Sequence, residues 1–183
     1  MPLKESYVIW NNKGGVGKTT LTFHMATAYA ERHQAENGTP VNVLVIDLCP
    51  QANVSMALLS SKTVYGSAHL STLYRNGLTI SHYLAKSTKR GPTIEAKDFI
   101  TRVNGYNTQV PENLYLLCGD MNLELAGRHL EHLRRGFDLY DNRPWLDNTR
   151  SILNFIEGAE NLVNGVSQGD EEWVVFIDRK SVV

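Results

Sequence analysis

A glycine-rich stretch near the N-terminus constrains this chain more than any other feature. Residues 12–20 read N-K-G-G-V-G-K-T-T, and they follow the apolar run Y-V-I-W at 7–10, which predicts a short buried strand. Glycines allow the backbone to curl until successive N–H groups point at one anion. A helix that begins at about Lys18 would direct its positive N-terminal end to the same place. The stretch therefore predicts a phosphate-binding loop between a strand and a helix.

The residue types in this loop suit a nucleoside triphosphate. Lys18 supplies a compact cation for the β- and γ-phosphates, and the Thr19 hydroxyl can coordinate Mg²⁺. The alternative interpretation is a glycine-rich turn whose lysines are only solvated, and the strand before it and the amphipathic run after it argue against that. The predicted nucleotide-binding residues are Lys13, Gly14, Gly15, Val16, Gly17, Lys18, Thr19 and Thr20.

The loop departs from the common pattern G-x-x-x-x-G-K-[ST], because Asn12 replaces the first glycine and a second lysine, Lys13, follows it. In this form, N-x-K-G-G-V-G-K-T-T, it resembles the deviant Walker A motif of the ParA/MinD/Soj family of ATPases. The resemblance implies a P-loop NTPase fold with ATP and Mg²⁺ as cofactors. It also implies catalytic roles for Lys18 and for Lys13, which in that family reaches across a nucleotide-sandwich dimer to the partner's phosphates.

A second element is the candidate strand V-N-V-L-V-I-D at 41–47, which is nearly all apolar and ends in Asp47. In a parallel α/β sheet the ligand crevice lies beyond the carboxyl ends of the strands, so we expect Asp47 at the same edge as the loop. There it would act as a Mg²⁺ ligand, most simply through water. A helix or turn cap is the alternative role.

The segment D-L-C-P-Q-A-N at 47–53 resembles the D-x-D-P-Q-x-N switch segment of ParA-type proteins. Cys49 stands at the position of the family's second aspartate, which helps to orient the attacking water. A thiol accepts hydrogen bonds weakly, and a thiolate is a soft ligand for the hard Mg²⁺ ion. We therefore expect nucleotide binding with slow or absent hydrolysis. The alternative is that Cys49 is a tolerated small residue and that another group places the water.

A further strand, W-V-V-F-I-D at 173–178, ends in Asp178 and is interpreted as the Walker B strand. Its carboxylate would hold a Mg²⁺-bound water and sense the γ-phosphate. The alternative is an arbitrary aspartate after an apolar strand, which the order of the preceding elements disfavours. The predicted metal ligands are thus Thr19, Asp47 and Asp178.

The remaining chain predicts an α/β domain in which strands and helices alternate. We expect helices from about 18 to 32 and at 79–85, 123–133 and 144–163, a helical tendency at 95–103, and another strand at 114–118. The first helix should present Leu21, Met25, Ala28 and Tyr29 to the core, since they recur at helical spacing. The strands before and after it should be parallel, with a right-handed crossover. Ser60–Gly77 is polar and turn-rich, and the sequence supports no prediction for it.

Together these elements predict a single P-loop ATPase domain over residues 1–178, in a chain of 183 residues. We expect a mostly parallel sheet with helices on both faces, incomplete at its C-terminal side because the C-terminal strands of the family fold are lacking. Residues 179–183 form a tail that does not match the family. A sheet interrupted at this point should expose an edge and an apolar face.

Composition narrows the function classes. The formal net charge of −1 argues against nucleic-acid binding through bulk charge. We interpret the basic cluster of Lys86, Lys89 and Arg90 as a solvated loop, with a DNA or partner contact as the alternative. Cys49 and Cys118 form no C-x-x-C pair, so their spacing suggests neither a zinc nor an iron–sulfur site. The lack of a signal peptide or a bilayer-spanning apolar run predicts a cytoplasmic protein without a membrane partner, and association with the nucleoid stays open.

The resemblance implies an ATP-dependent dimerising switch in plasmid or chromosome segregation. Its expected partners are ATP or ADP, a second copy of the chain, a ParB-like centromere-binding protein and non-specific DNA bound through residues not in this chain. The alternative is a non-hydrolysing nucleotide-binding regulator or scaffold, which Cys49 favours. A third reading, a metabolic enzyme of the wider deviant Walker A group, is disfavoured by the sequence of the switch segment. Whether the chain is an ATPase stays open at this point.

Overall fold

A computed structural model of the protein describes residues 3–11, 13–34, 41–87, 96–125, 128 and 172–180. Its strands are β1 (Leu3–Asn11), β2 (Val41–Asp47), β3 (Thr101–Arg102), β4 (Leu114–Leu117) and β5 (Glu172–Lys180). They form one five-stranded sheet in the order β1-β5-β2-β4-β3. Neighbouring strands are parallel except for β3, which is antiparallel to β4. The predicted mostly parallel sheet is confirmed.

The described helices are α1 (Lys18–Gln34), α2 (Asn53–Leu59), α3 (Gly66–Arg75) and α4 (Ile80–Ser87), with 3-10 turns at Ala96–Phe99 and Val103–Gly105. Helix α3 lies in the stretch for which the sequence predicted no element. The helical tendency at 95–103 is wrong in part, because Thr101 and Arg102 pair with Leu116 and Tyr115 of β4 and leave only short turns on either side. None of the described helices is long and apolar enough to span a bilayer.

The strand order has a direct consequence for the site. Strands β1 and β2 are parallel, as predicted for the βαβ unit, but β5 lies between them and pairs with both. Asp47 at the end of β2 is therefore the register partner of Asp178 on β5. β1 is left at the edge of the described sheet, with exposed Tyr7, Val8 and Trp10. Arg179 and Lys180 still belong to β5, where they pair with Trp10 and Asn11.

Strand β2 is buried along its whole length because helices cover both faces of the sheet. Val43 and Val45 belong to one hydrophobic core, which contains residues of α1, α2 and α3. Leu44 and Ile46 point to the other face and belong to a second core with residues of α4 and of the turn at Ala96–Phe99. Cys118 is fully buried, as predicted for a core residue.

The predicted apolar face of α1 is wrong for Leu21, Met25 and Ala28, whereas Tyr29 is partly buried and packs against the core. Leu21 and Met25 are 51% and 38% exposed, and Ala28 is exposed as well. The fully buried side consists of Thr22, Ala26 and Ala30. Small side chains let a helix approach the sheet closely, and Thr22 satisfies its hydroxyl by donating to the Lys18 carbonyl at 3.0 Å. Hydrophobicity alone therefore placed the buried stripe on the wrong side of the helix.

Several predictions fall outside the described residues. Asn12, Lys89, Arg90 and the helix at 144–163 lie there, as does most of the helix at 123–133. Residues 122–125 are helical, in agreement with the start of the helix predicted at 123–133.

Candidate phosphate-binding site

The turn between β1 and α1 has a backbone conformation that glycine adopts readily. Gly15 and Gly17 have φ angles of 71° and 81°, in the left-handed region that other residues rarely adopt. The turn leads directly into α1, where Leu21 N donates to the Gly17 carbonyl at 2.8 Å. Before the turn, Lys13 N donates to Asn11 Oδ1, also at 2.8 Å. The helix begins at Lys18, as predicted, so its first N–H groups lie at the loop.

Both lysines of the motif lie on this loop. Lys18 Nζ donates to the Lys13 carbonyl oxygen at 2.9 Å, so its ammonium folds back over the turn. The loop residues 13–17 are exposed. Burial raises the pKa of Asp178, while its hydrogen bond from Thr19 and the charge of Lys18 act in the opposite direction. The ammonium group of Lys18, the curved glycine backbone and the N-terminus of α1 therefore lie together at one exposed position. This is the geometry of an anion-binding site.

Asp178 lies directly beneath this loop. Thr19 Oγ1 donates to Asp178 Oδ2 at 3.0 Å. The side chain is buried, and Asp178 Oδ1 has no hydrogen-bond partner. A buried carboxylate oxygen without a donor is costly and is normally explained by a water, an ion or a functional role. The structure thus brings together Thr19 and Asp178, two of the three predicted metal ligands, across a large separation in sequence.

Asp47, the third predicted ligand, is fully buried and held by protein donors. Its Oδ1 accepts from Cys49 N at 2.9 Å, and its Oδ2 accepts from Ser55 N at 3.0 Å and Ser55 Oγ at 2.7 Å. Burial raises its pKa to about 6, although these hydrogen bonds act in the opposite direction. Its contacts are those of the turn-cap alternative, because they fasten the start of the switch segment to the tip of β2. A metal contact through water stays a prediction.

Sequence reasoning missed Ser55 and the role of Gly119. Ser55 is fully buried, and its Oγ both donates to Asp47 and accepts from Gly119 N at 3.1 Å. A Cβ on Gly119 would lie 2.8 Å from the Cys49 carbonyl oxygen and 2.9 Å from Asp47 Cγ. The tips of β2 and β4 and the start of α2 are therefore joined at backbone contact distance. The sequence did contain one sign of this contact. Ser55 lies in the first turn of α2, soon after Asp47 at the end of β2.

Cys49 is buried next to the two aspartates. Its Sγ donates to the Asp178 carbonyl oxygen at 3.7 Å. Asp47, Cys49 and Asp178 each offer one ligand atom, and these atoms all lie within 4.8 Å of one another. Cys49 therefore lies beside Asp47 and Asp178, two of the predicted metal ligands.

The backbone of the switch segment turns sharply after Cys49. Ala52 N donates to the Cys49 carbonyl at 2.9 Å, and Ala52 has a φ of 50°. It is the only non-glycine residue with a positive φ in the described part of the chain. Such conformations cost energy and persist where surrounding contacts hold them, often at functional sites.

Comparison with known proteins agrees with this geometry. The family described as the CobQ/CobB/MinD/ParA nucleotide binding domain matches residues 7–177. An uncharacterized protein of Methanocaldococcus jannaschii, MJECL24, is 31% identical over 109 residues, which are 59% of this chain and 35% of that protein.

Among solved structures, protein DIP2308 from Corynebacterium diphtheriae has a TM-score of 0.63 at 20% identity, covering 98% of this chain and 54% of that one. A plasmid partition protein from Borrelia burgdorferi has a TM-score of 0.51 at 16% identity, covering 97% of this chain and 56% of that one. The chain spans about half the length of these solved relatives. At such identities the likeness concerns the fold. The family match over nearly the whole chain shows that this protein belongs to the CobQ/CobB/MinD/ParA nucleotide-binding family.

Proposed function

We propose that this protein binds ATP with Mg²⁺ at the loop of residues 12–20 and acts as a ParA-like nucleotide switch. The observation that carries the proposal is the position of Asp178, whose buried carboxylate has an oxygen without a partner directly below the Lys18–Thr19 corner. A carboxylate and a hydroxyl are hard oxygen ligands of the kind that Mg²⁺ prefers. The residues present therefore fit this ion. Bound Mg²⁺ would offset phosphate charge.

The chain's own residues have separable roles in this proposal. The Lys18 ammonium exchanges the Lys13 carbonyl for phosphate oxygens, because a charged acceptor makes a stronger hydrogen bond than a neutral one. The N–H groups at the start of α1 complete the anion site. Thr19 and Asp178 hold the metal side of the site, and Asp47 positions the switch segment. Thr20, Gly14 and Val16 contribute to the loop through their backbone.

For the biological role, we infer an ATP-dependent homodimer that acts in plasmid or chromosome segregation. Lys13 would act in trans, consistent with its exposed position on the loop. The fold shared with a plasmid partition protein favours this role. The partner would be a ParB-like centromere-binding protein, together with non-specific DNA.

One observation favours a second candidate function, a nucleotide-binding regulator or scaffold that does not hydrolyse ATP. Cys49 occupies the water-orienting position, and its thiol donates to a backbone carbonyl. A carboxylate at the same place would accept from water, whereas a thiol accepts poorly. The two candidates share nucleotide binding and differ only in turnover.

Isothermal titration calorimetry with Mg-ATP and Mg-ADP tests the shared step. We expect binding by the wild-type protein and at least roughly tenfold weaker binding by Lys18→Ala, since about 1.4 kcal/mol corresponds to a factor of ten. Lys62→Ala, at an exposed lysine in the loop before α3, is the matched control and should bind as the wild type does. The proposal fails if neither nucleotide binds at millimolar concentration or if Lys18→Ala binds normally.

Light scattering after size exclusion tests the dimer. We expect ATP to shift the wild-type protein from monomer to dimer and Lys13→Ala to stay monomeric while it still binds ATP. A Lys13→Ala protein that dimerises normally with ATP would contradict the role in trans.

A further inference from the structure

Three side chains form a compact donor set near the carboxyl ends of β2 and β5; two of them are close together in the sequence and the third is far from both. Asp47, Cys49 and Asp178 each place one potential ligand atom within 4.8 Å of the other two, and all three residues are buried. The cysteine and Asp178 are separated by 129 residues, so only the pairing of β5 with β2 brings them together. Cysteine spacing along the chain carried no sign of this cluster.

A second observation points to a ligand. Asp178 is fully buried, yet its Oδ1 has no hydrogen-bond partner. The other oxygens of the cluster are engaged: Asp178 Oδ2 accepts from Thr19, and Asp47 accepts from Cys49 and Ser55. A buried carboxylate oxygen without a partner, in a cluster that also contains a thiol, is costly in a protein interior and favours the binding of a cation.

We propose that Asp47, Cys49 and Asp178 form a binding site for a thiophilic divalent cation of the Zn²⁺ class. Thiolate and carboxylate are both ordinary ligands of Zn²⁺, whereas a thiolate is mismatched to Mg²⁺. Ligand atoms in a tetrahedral Zn²⁺ site are about 3.5 Å apart, given Zn–S and Zn–O bonds of about 2.3 and 2.0 Å. The separations in the observed cluster, up to 4.8 Å, therefore need a contraction of at most about 1.3 Å. A water would complete the fourth position.

Metal binding would replace the proton on the sulfur of Cys49. The Cys49 thiol releases its proton to solvent as the sulfur–metal bond forms, and the two carboxylates contribute oxygen ligands. The site would join the switch segment to the tip of β5, because Cys49 belongs to the former and Asp178 to the latter. The site shares Asp47 and Asp178 with the proposed Mg²⁺ site, so the inference concerns the same pocket as the proposed function, and its test contains no nucleotide.

The test uses Co²⁺ as a spectroscopic substitute for Zn²⁺. The full-length protein is stripped with a chelator, freed of nucleotide and titrated with Co²⁺ alone. We expect a thiolate-to-cobalt charge-transfer band that saturates at one equivalent and is abolished by one equivalent of Zn²⁺ but not by equimolar Mg²⁺. Cys49→Ser should lose the band, and Cys118→Ala should keep it. Cys118 is the matched control because it is also buried, and burial raises the pKa of its thiol.

A second measurement covers the case in which Cys49→Ser fails to fold. Alkylation of wild-type Cys49 is followed by mass spectrometry with and without Zn²⁺, and we expect Zn²⁺ to slow it at least roughly tenfold while Cys118 is unaffected. The proposal is overturned if wild-type protein shows no charge-transfer band, if Cys49→Ser keeps it, if Cys118→Ala loses it, or if Zn²⁺ leaves the alkylation of Cys49 unchanged. Because this test contains no nucleotide, its failure is distinguishable from a failure of ATP binding, which calorimetry with Lys18→Ala measures.

Discussion

The hydroxyl of Thr19 donates a 3.0 Å hydrogen bond to Asp178 Oδ2, although 159 residues separate the two in the sequence. Thr19 lies in the first turn of α1, and Asp178 lies on β5. The bond therefore ties the helix that carries the phosphate-binding turn to the strand that carries the buried carboxylate. It holds the two oxygen ligands of the proposed Mg²⁺ site in contact before any ligand binds.

This contact predicts a graded response to substitution at position 19. Thr19→Val keeps the shape and removes the hydroxyl, so it should weaken Mg-ATP binding at least roughly tenfold, about 1.4 kcal/mol. Thr19→Ser keeps the hydroxyl and should bind within about threefold of wild type. Calorimetry with and without Mg²⁺ measures both. If Thr19→Val binds Mg-ATP as tightly as Thr19→Ser, the hydroxyl has no part in the metal site.

The position of Cys49 predicts the rate of ATP hydrolysis. We expect turnover by the wild-type protein to be slow or absent, and turnover by Cys49→Asp to be at least roughly tenfold faster, because a carboxylate accepts a hydrogen bond from water and a thiol does so weakly. Phosphate release under saturating Mg-ATP measures both rates. Cys118→Ala controls for general effects of removing a buried thiol. Equal and fast turnover in wild type and Cys49→Asp would contradict the inference.

The close packing of Gly119 against Asp47 and Cys49 predicts that a larger residue at position 119 lowers the stability of the fold. Gly119→Ala places a Cβ against backbone atoms of Asp47 and Cys49 at 2.8 to 2.9 Å, and backbone cannot move aside as a flexible side chain can. We expect a loss of about 1–3 kcal/mol in the free energy of unfolding, the usual range for overpacking. Gly105→Ala meets nothing within 4 Å and is the matched control, with a change within about 0.5 kcal/mol. Urea unfolding measures both, and equal effects would disprove the close approach.

The corrected face of α1 is tested by a pair of alanines on the same helix. Ala26 is fully buried against the core of the sheet, whereas Ala28 is exposed. Ala26→Leu should therefore lower the free energy of unfolding by about 1–3 kcal/mol through overpacking, and Ala28→Leu should change it by less than about 0.5 kcal/mol. Thermal or urea unfolding distinguishes them. The reverse ranking would restore the face first predicted from hydrophobic spacing.

Elements whose evidence is local were predictable from the sequence. The glycines, Lys18 and the helix start were foreseen because loop conformation and helix initiation depend on neighbouring residues. β2 was recognised because a strand buried on both faces is continuously apolar. Helix α3 was missed because most residues of Gly66–Arg75 are polar or small, and only Leu70 and Leu73 supply apolar side chains that pack against the core.

The tertiary structure alone decided how these elements meet. The insertion of β5 between β1 and β2 sets Asp178 beside Asp47 and Cys49, and no local pattern records strand order. The same holds for Ser55, whose hydroxyl joins Asp47 to Gly119 from 64 residues away. Residue types near the loop thus determined which chemistry the chain can support, because phosphate and magnesium require particular donors. Long-range strand pairing determined which donors share one pocket, because backbone hydrogen bonds between distant strands do not depend on sequence proximity.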